Sequence, residues 1–129
     1  MRFSVLHVSL VALGGALGSV LRFFGSGLAH SLLPGLLFPV GTLTVNVCGA
    51  LVIGLVGGLA ESRQFLVPEL RLFLFTGVLG GFTTFSAFAF ESLGLALDGA
   101  WPRFVLNVGA QILLGLGAAW AGWGLARGL

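Results

Sequence analysis

Gly77-Val78-Leu79-Gly80-Gly81-Phe82-Thr83-Thr84-Phe85-Ser86-Ala87-Phe88 is the stretch that decides how this chain folds. It lies inside an apolar run, about Leu72 to Leu97, long enough to cross a bilayer as a helix. Two adjacent glycines followed by two threonines in mid-membrane predict a broken helix. Glycine removes side-chain packing, and threonine hydroxyls offer the backbone alternative partners. Backbone unwound at that depth is tolerated only where protein or a water-filled cavity covers it. It exposes carbonyls that can coordinate a cation and N–H groups that can meet an anion. The competing reading is a close-packed glycine contact beside threonines that bond back to their own helix.

Three further apolar runs flank this one: about Phe3 to Leu28, Phe38 to Ala60 and Phe104 to Ala126. A hydrocarbon core of roughly 30 Å needs about 20 helical residues per crossing. The 129 residues therefore suit a single four-span membrane domain over 1–129, all-α, with no room for a fifth span or an extramembrane domain. Composition agrees, at 57% hydrophobic and 8% charged residues with a mean hydropathy of +1.12, which is not the balance of a soluble domain. Pro34 and Gly35 mark a turn after the first run. Glu61-Ser62-Arg63-Gln64 with Pro68, Glu69 and Arg71 forms the longest polar connection, and Asp98-Gly99-Ala100-Trp101-Pro102-Arg103 a short loop whose proline suits a first helical turn. Trp101, Trp120 and Trp123 read as interface anchors.

The net charge of +2 comes from six scattered arginines with no lysine, so no basic run exists to track a nucleic-acid backbone. Arg2, Arg63, Arg71 and Arg127 fall on the side of both termini, Arg103 on the other, with Arg22 as a second candidate there. That bias would place the termini in the cytoplasm but is weak enough for insertion both ways. Cys48, alone, can make no intramolecular disulfide and reads as a small apolar residue inside a helix. Glycines and alanines at Gly14/Gly18, Gly54/Gly58, Gly77/Gly81 and Ala118/Gly122 allow close helix approach. Four thin helices enclose little, so a homo-oligomer with a pathway shared between protomers is expected.

Several residues are too polar for their places. Arg22, late in the first span, either snorkels to the interface or forms a fixed cation at the mouth of an anion path. Asn46 lies well inside the second span, four residues after Thr42 and so on its face, and either glues helices or faces water and substrate. Asn107 and Gln111 share a face of the fourth span as helix glue or as a polar rail. Phe82, Phe85 and Phe88 recur every three residues and would stack along one helical stripe, lipid-facing, core, or presenting positive ring edges. Beside hydroxyls such as Thr84 and Ser86, such edges could replace a small anion's hydration shell without trapping it. His7 and His30 read as interfacial. No carboxylate pair, Ser/His/Asp set or phosphate loop is present, so an enzyme is not expected.

Gly14-Gly15-x-x-Gly18-x-x-x-Arg22, Gly41-Thr42-Leu43-x-Val45-Asn46-x-x-Gly49 and Gly80-Gly81-Phe82-Thr83-Thr84-Phe85-Ser86-Ala87-Phe88, in that order, resemble the motifs of the CrcB/Fluc fluoride channels. The resemblance covers essentially the whole chain. It implies a passive fluoride exporter in a bacterial or archaeal cell membrane, built as an antiparallel, dual-topology dimer, taken here as a homodimer in membrane lipid, with two pores at the interface. It further implies that Phe85 and Phe88 meet fluoride edge-on, that Asn46 stands at the pore end, and that Arg22 is the vestibule cation. Thr84, Ser86, Asn107 and Gln111 complete the implied fluoride pathway. The carbonyls of Gly80 and Thr83 would hold a structural Na⁺ at the dimer centre. Two departures stand out: Ala87 replaces the usual threonine, and Asn107 and Gln111 stand where tyrosine or serine is common. The rival is a small multidrug-resistance-type, proton-coupled exporter, which requires a glutamate in the first span where this chain has only Arg22. A noncatalytic membrane subunit would explain the glycines but not the threonine-rich break between rings.

Overall fold

The structure, a computed structural model, describes residues 4–63 and 66–128; Arg2, Phe3 and Gln64 of the sequence reading lie outside them. Four helical segments are long and apolar enough to cross a membrane: Val5–Leu32, Val40–Ser62, Pro68–Leu97 and Trp101–Gly128. The chain is a multi-pass membrane protein. The first helix, α1 (Val5–Leu32), opens with the Ser4 hydroxyl accepting from the His7 N–H. It outlasts the apolar run by a turn, so His30 sits in its last turn. α2 is Val40–Arg63. The turn before it uses Gly35 at φ 80°, a left-handed backbone that glycine adopts without strain.

The third span comprises α3 (Pro68–Arg71), a π-helical stretch (Leu72–Leu79), α4 (Gly80–Phe82) and α5 (Phe85–Leu97). Thr83 (φ −89°, ψ 158°) and Thr84 (φ −151°, ψ 116°) are extended. The break thus falls at the two threonines, not at the glycines, because Gly80 and Gly81 are helical. Gly81 serves packing instead: a Cβ there would come 2.6 Å from the Gly15 carbonyl oxygen. The expected single stripe of Phe82, Phe85 and Phe88 is likewise divided. Phe82 ends the first half and packs near Gly49 and Gly25. Phe85 and Phe88 pair edge-to-face on α5, centroids 5.4 Å apart.

α6 (Trp101–Gly128) follows a turn with Gly99 at φ 69° and carries Pro102 in its first turn. α2 and α6 share the most extensive contact, and α1 lies along the first half of the third span. α5 is held mainly by α6. The two ends of the bundle are tied separately. The Trp123 indole donates to Glu61 at 3.3 Å on the terminal side, and Arg103 donates to the Leu37 carbonyl at 3.1 Å on the other.

Candidate functional site

The break is held by one side chain from another helix. Asn46 Oδ1 accepts from the Thr84 N–H at 2.8 Å, and Asn46 Nδ2 donates to the Thr84 carbonyl at 3.0 Å. The amide pairs with Thr84 as a neighbouring strand would, meeting the donor and acceptor that the helix gives up there. The second Nδ2 hydrogen goes to Gln111 Oε1 at 3.0 Å. All three polar sites that Asn46 uses are therefore engaged within the chain.

The break withholds the helical donors from the carbonyls of Gly80, Gly81, Phe82 and Thr83, and for the first and last of these the donor has another partner. In an unbroken helix the Gly80 carbonyl would accept from the Thr84 N–H, which here goes to Asn46. The Thr83 carbonyl would accept from the Ala87 N–H, which here goes to the Thr84 hydroxyl at 3.2 Å. Thr84 is thus the N-cap of α5, whose positive dipole end opens at the break. Thr83 remains tied backward, its N–H and hydroxyl both donating to the Leu79 carbonyl at 3.0 and 2.9 Å.

Two open cavities meet at Thr84, which lines both. The first, about 410 Å³, gathers Asn46, Gly80, Thr83, Thr84, Phe85, Phe88 and Gln111. The second, about 560 Å³, is lined by Arg22 with Ser19, Ser26, His30, Thr42 and Glu91. Arg22 lies ten residues before the end of α1, about 15 Å along the axis. Ser86 lines neither cavity; its hydroxyl lies 3.3 Å from that of Thr84. Asn107 also lines neither. It is 0% exposed and donates to the Ser92 hydroxyl at 3.0 Å.

Glu91 and Ser92 are the residues that sequence reasoning left without a place. Thr42 donates to Glu91 Oε1 at 2.6 Å. An acid six residues inside the third apolar run, with a threonine on the Asn46 face of α2 to meet it, was the available signal. Among the described residues, Glu91 Oε2, Asn107 Oδ1 and Gln111 Nε2 are buried side-chain atoms without a partner. Although its unpartnered nitrogen is itself buried, the Gln111 side chain lines the ring-bearing cavity. Phe85, 78% exposed, stands open at its rim. No group of three or more His, Cys, Asp or Glu gathers among the described residues.

Residues 9–123 match the family model described as CrcB-like protein, Camphor Resistance (CrcB). A protein of Nitratidesulfovibrio vulgaris (strain Miyazaki F) named fluoride-specific ion channel FluC is 50% identical over 120 residues, covering 93% of this chain and 96% of its own. Proteins of the same name from Methylobacillus flagellatus and Opitutus terrae are 46% and 49% identical, covering 94% and 92% of this chain and 94% and 91% of their own. With that match across nearly its whole length, the chain belongs to the CrcB family.

Proposed function

We propose that this protein is a fluoride-selective channel, not an enzyme, through which fluoride leaves the cytoplasm passively. HF crosses the membrane from acidic surroundings and dissociates inside, and the inside-negative potential drives the anion back out through an open pore. The observation that carries the reading is Thr84 standing between a vestibule with Arg22 and a groove with two phenylalanine rings. An anion drawn in by the guanidinium passes Thr84 and then meets ring edges in the groove that Gln111 also lines. A dehydrated, narrow path of such donors fits fluoride better than chloride.

Two further features belong to the proposal. The groove opens Asn46, Thr83, Thr84 and Gln111 to the outside of a lone chain, which hydrocarbon would penalise. A second, antiparallel copy covers it and makes a pore lined by both chains. The Gly80 and Thr83 carbonyls, each deprived of its helical donor, are the ligands for a Na⁺ shared between the copies. Bound there, the ion would offset the negative ends of these carbonyl dipoles.

Fluoride efflux from liposomes, followed with a selective electrode and without a pH gradient, tests the reading. Fluoride is expected to leave and chloride to stay. Phe85→Ile and Phe88→Ile are each expected to slow fluoride by about tenfold or more, as loss of a positioned electrostatic partner does elsewhere. Chloride passing as readily as fluoride, or either variant conducting like the parent, would sink the mechanism.

A further inference from the structure

From the register of α5 against α6 we infer that Asn107 and Ser92 are a positioning pair, which sets the distance between the Phe88 ring and the Gln111 amide, and that Asn107 does not touch the ion. The inference rests on the channel reading above. Phe85, Phe88 and Ser92 lie on one face of α5, spaced by one turn each. Gln111 and Asn107 lie one turn apart on α6, which runs back antiparallel after a short turn. Ser92 meets Asn107 through a 3.0 Å hydrogen bond, and one turn further along both helices Phe88 and Gln111 line the same groove. The next turn brings Thr84 and Gly115, also in the groove.

The groove therefore begins immediately above the Asn107–Ser92 bond. Asn107 is 0% exposed and lines no cavity, so an ion in the groove does not reach it. Ser92, at 4% exposure, is equally closed off. α5 has few neighbours within the chain besides α6; below the rings this buried bond sets its height and spacing against α6, while the Thr42–Glu91 bond ties it to α2. In an apolar surrounding a hydrogen bond between helices holds its two partners with little competition. Loss of the Asn107–Ser92 bond leaves that part of α5 tied to α2 through Glu91 but free to shift against α6, and a shift of about 1 Å in a positioned contact has large effects on rate.

Four proteins reconstituted in liposomes test this: the parent, Ser92→Ala, Asn107→Ala, and the exchange Ser92→Asn with Asn107→Ser. Assembly in detergent is checked by crosslinking, and fluoride and chloride efflux are measured for each. Ser92→Ala, the milder change, and Asn107→Ala are expected to slow fluoride efflux on the order of tenfold and to narrow its margin over chloride. The exchange rebuilds the bond with its partners reversed and is expected to recover both rate and margin to within about threefold of the parent. Unchanged efflux in Ser92→Ala, or an exchanged protein that assembles yet conducts no better than the single variants, would overturn the inference. A parent that conducts no fluoride would instead overturn the channel reading.

Discussion

Asn46→Ala is expected to abolish fluoride efflux and also to loosen the protein. The side chain makes three hydrogen bonds, two of them to the N–H and carbonyl of Thr84 at the break. Alanine strands both backbone groups at membrane depth, where each unmet group costs several kcal/mol. Even at the about 1–3 kcal/mol typical of a buried orphan, the loss is a large part of a domain's stability. The extended conformation of Thr83 and Thr84 then has nothing to favour it over helix. Helix would return the Thr84 N–H to the Gly80 carbonyl and so remove one of the carbonyls proposed for Na⁺. Asn46→Asp separates the acceptor role of Asn46 from its donor role. It keeps an acceptor for the Thr84 N–H but brings oxygen against the Thr84 carbonyl and Gln111 Oε1, and adds negative charge beside an anion path. Both variants should unfold in detergent roughly 10 °C below the parent, the shift expected for two to three kcal/mol in a chain of this size. An Asn46→Ala protein as stable as the parent but unable to pass fluoride would show that Asn46 serves the ion alone and not the break.

That same side chain explains what could be read in the sequence and what could not. Four apolar runs, their connections and the interrupted third span follow from hydropathy and from Gly35, Gly99 and Pro102, each acting on its immediate neighbours. The position of the break does not, because extended threonines need partners and theirs comes from a residue 38 positions away. Gly80 and Gly81 look like helix breakers locally, yet both are helical, and Gly81 is in close approach to Gly15 of α1. Seven of the ten expected pathway, vestibule and metal positions converge on one groove: Asn46, Gly80, Thr83, Thr84, Phe85, Phe88 and Gln111. Asn107 and Gln111 share a helix face, as their spacing requires, but part company where α5 closes over Asn107. Spacing places residues on a face; it does not say how far a neighbouring helix covers that face.

Gly18→Ala is expected to prevent assembly of the protein, although it adds one methyl group to a helix. A Cβ at that position would land on the Val78 carbonyl oxygen, with the Phe82 nitrogen at 2.8 Å and the Val78 carbonyl carbon at 2.9 Å. These are backbone atoms of the π-helical stretch and α4, so no rotamer change can clear them. One turn earlier, a Cβ on Gly14 would meet the Phe73 carbonyl oxygen at 2.7 Å and the Gly77 Cα at 2.9 Å. The two helices are therefore in backbone contact over more than a turn, and the added methyl must push α1 away along that whole seam. Overpacking of a closed core costs about 1–3 kcal/mol when side chains can adjust, and here they cannot. The displaced segment is the one that carries Leu79 to Thr83 into the break, so the groove is lost with the packing. Gly122→Ala should act alike on the other helix pair, since its Cβ would strike the Leu51 carbonyl oxygen. Gly109→Ala supplies the contrast: its Cβ would meet nothing within 4 Å, and alanine favours helix by about 1 kcal/mol over glycine. Size-exclusion profiles after detergent extraction should show Gly109→Ala eluting as the parent does, with Gly18→Ala and Gly122→Ala aggregated or absent. A well-assembled, conducting Gly18→Ala protein would mean that α1 does not lie against the third span at backbone contact, and the wall that Arg22 contributes to the vestibule would have to be placed differently.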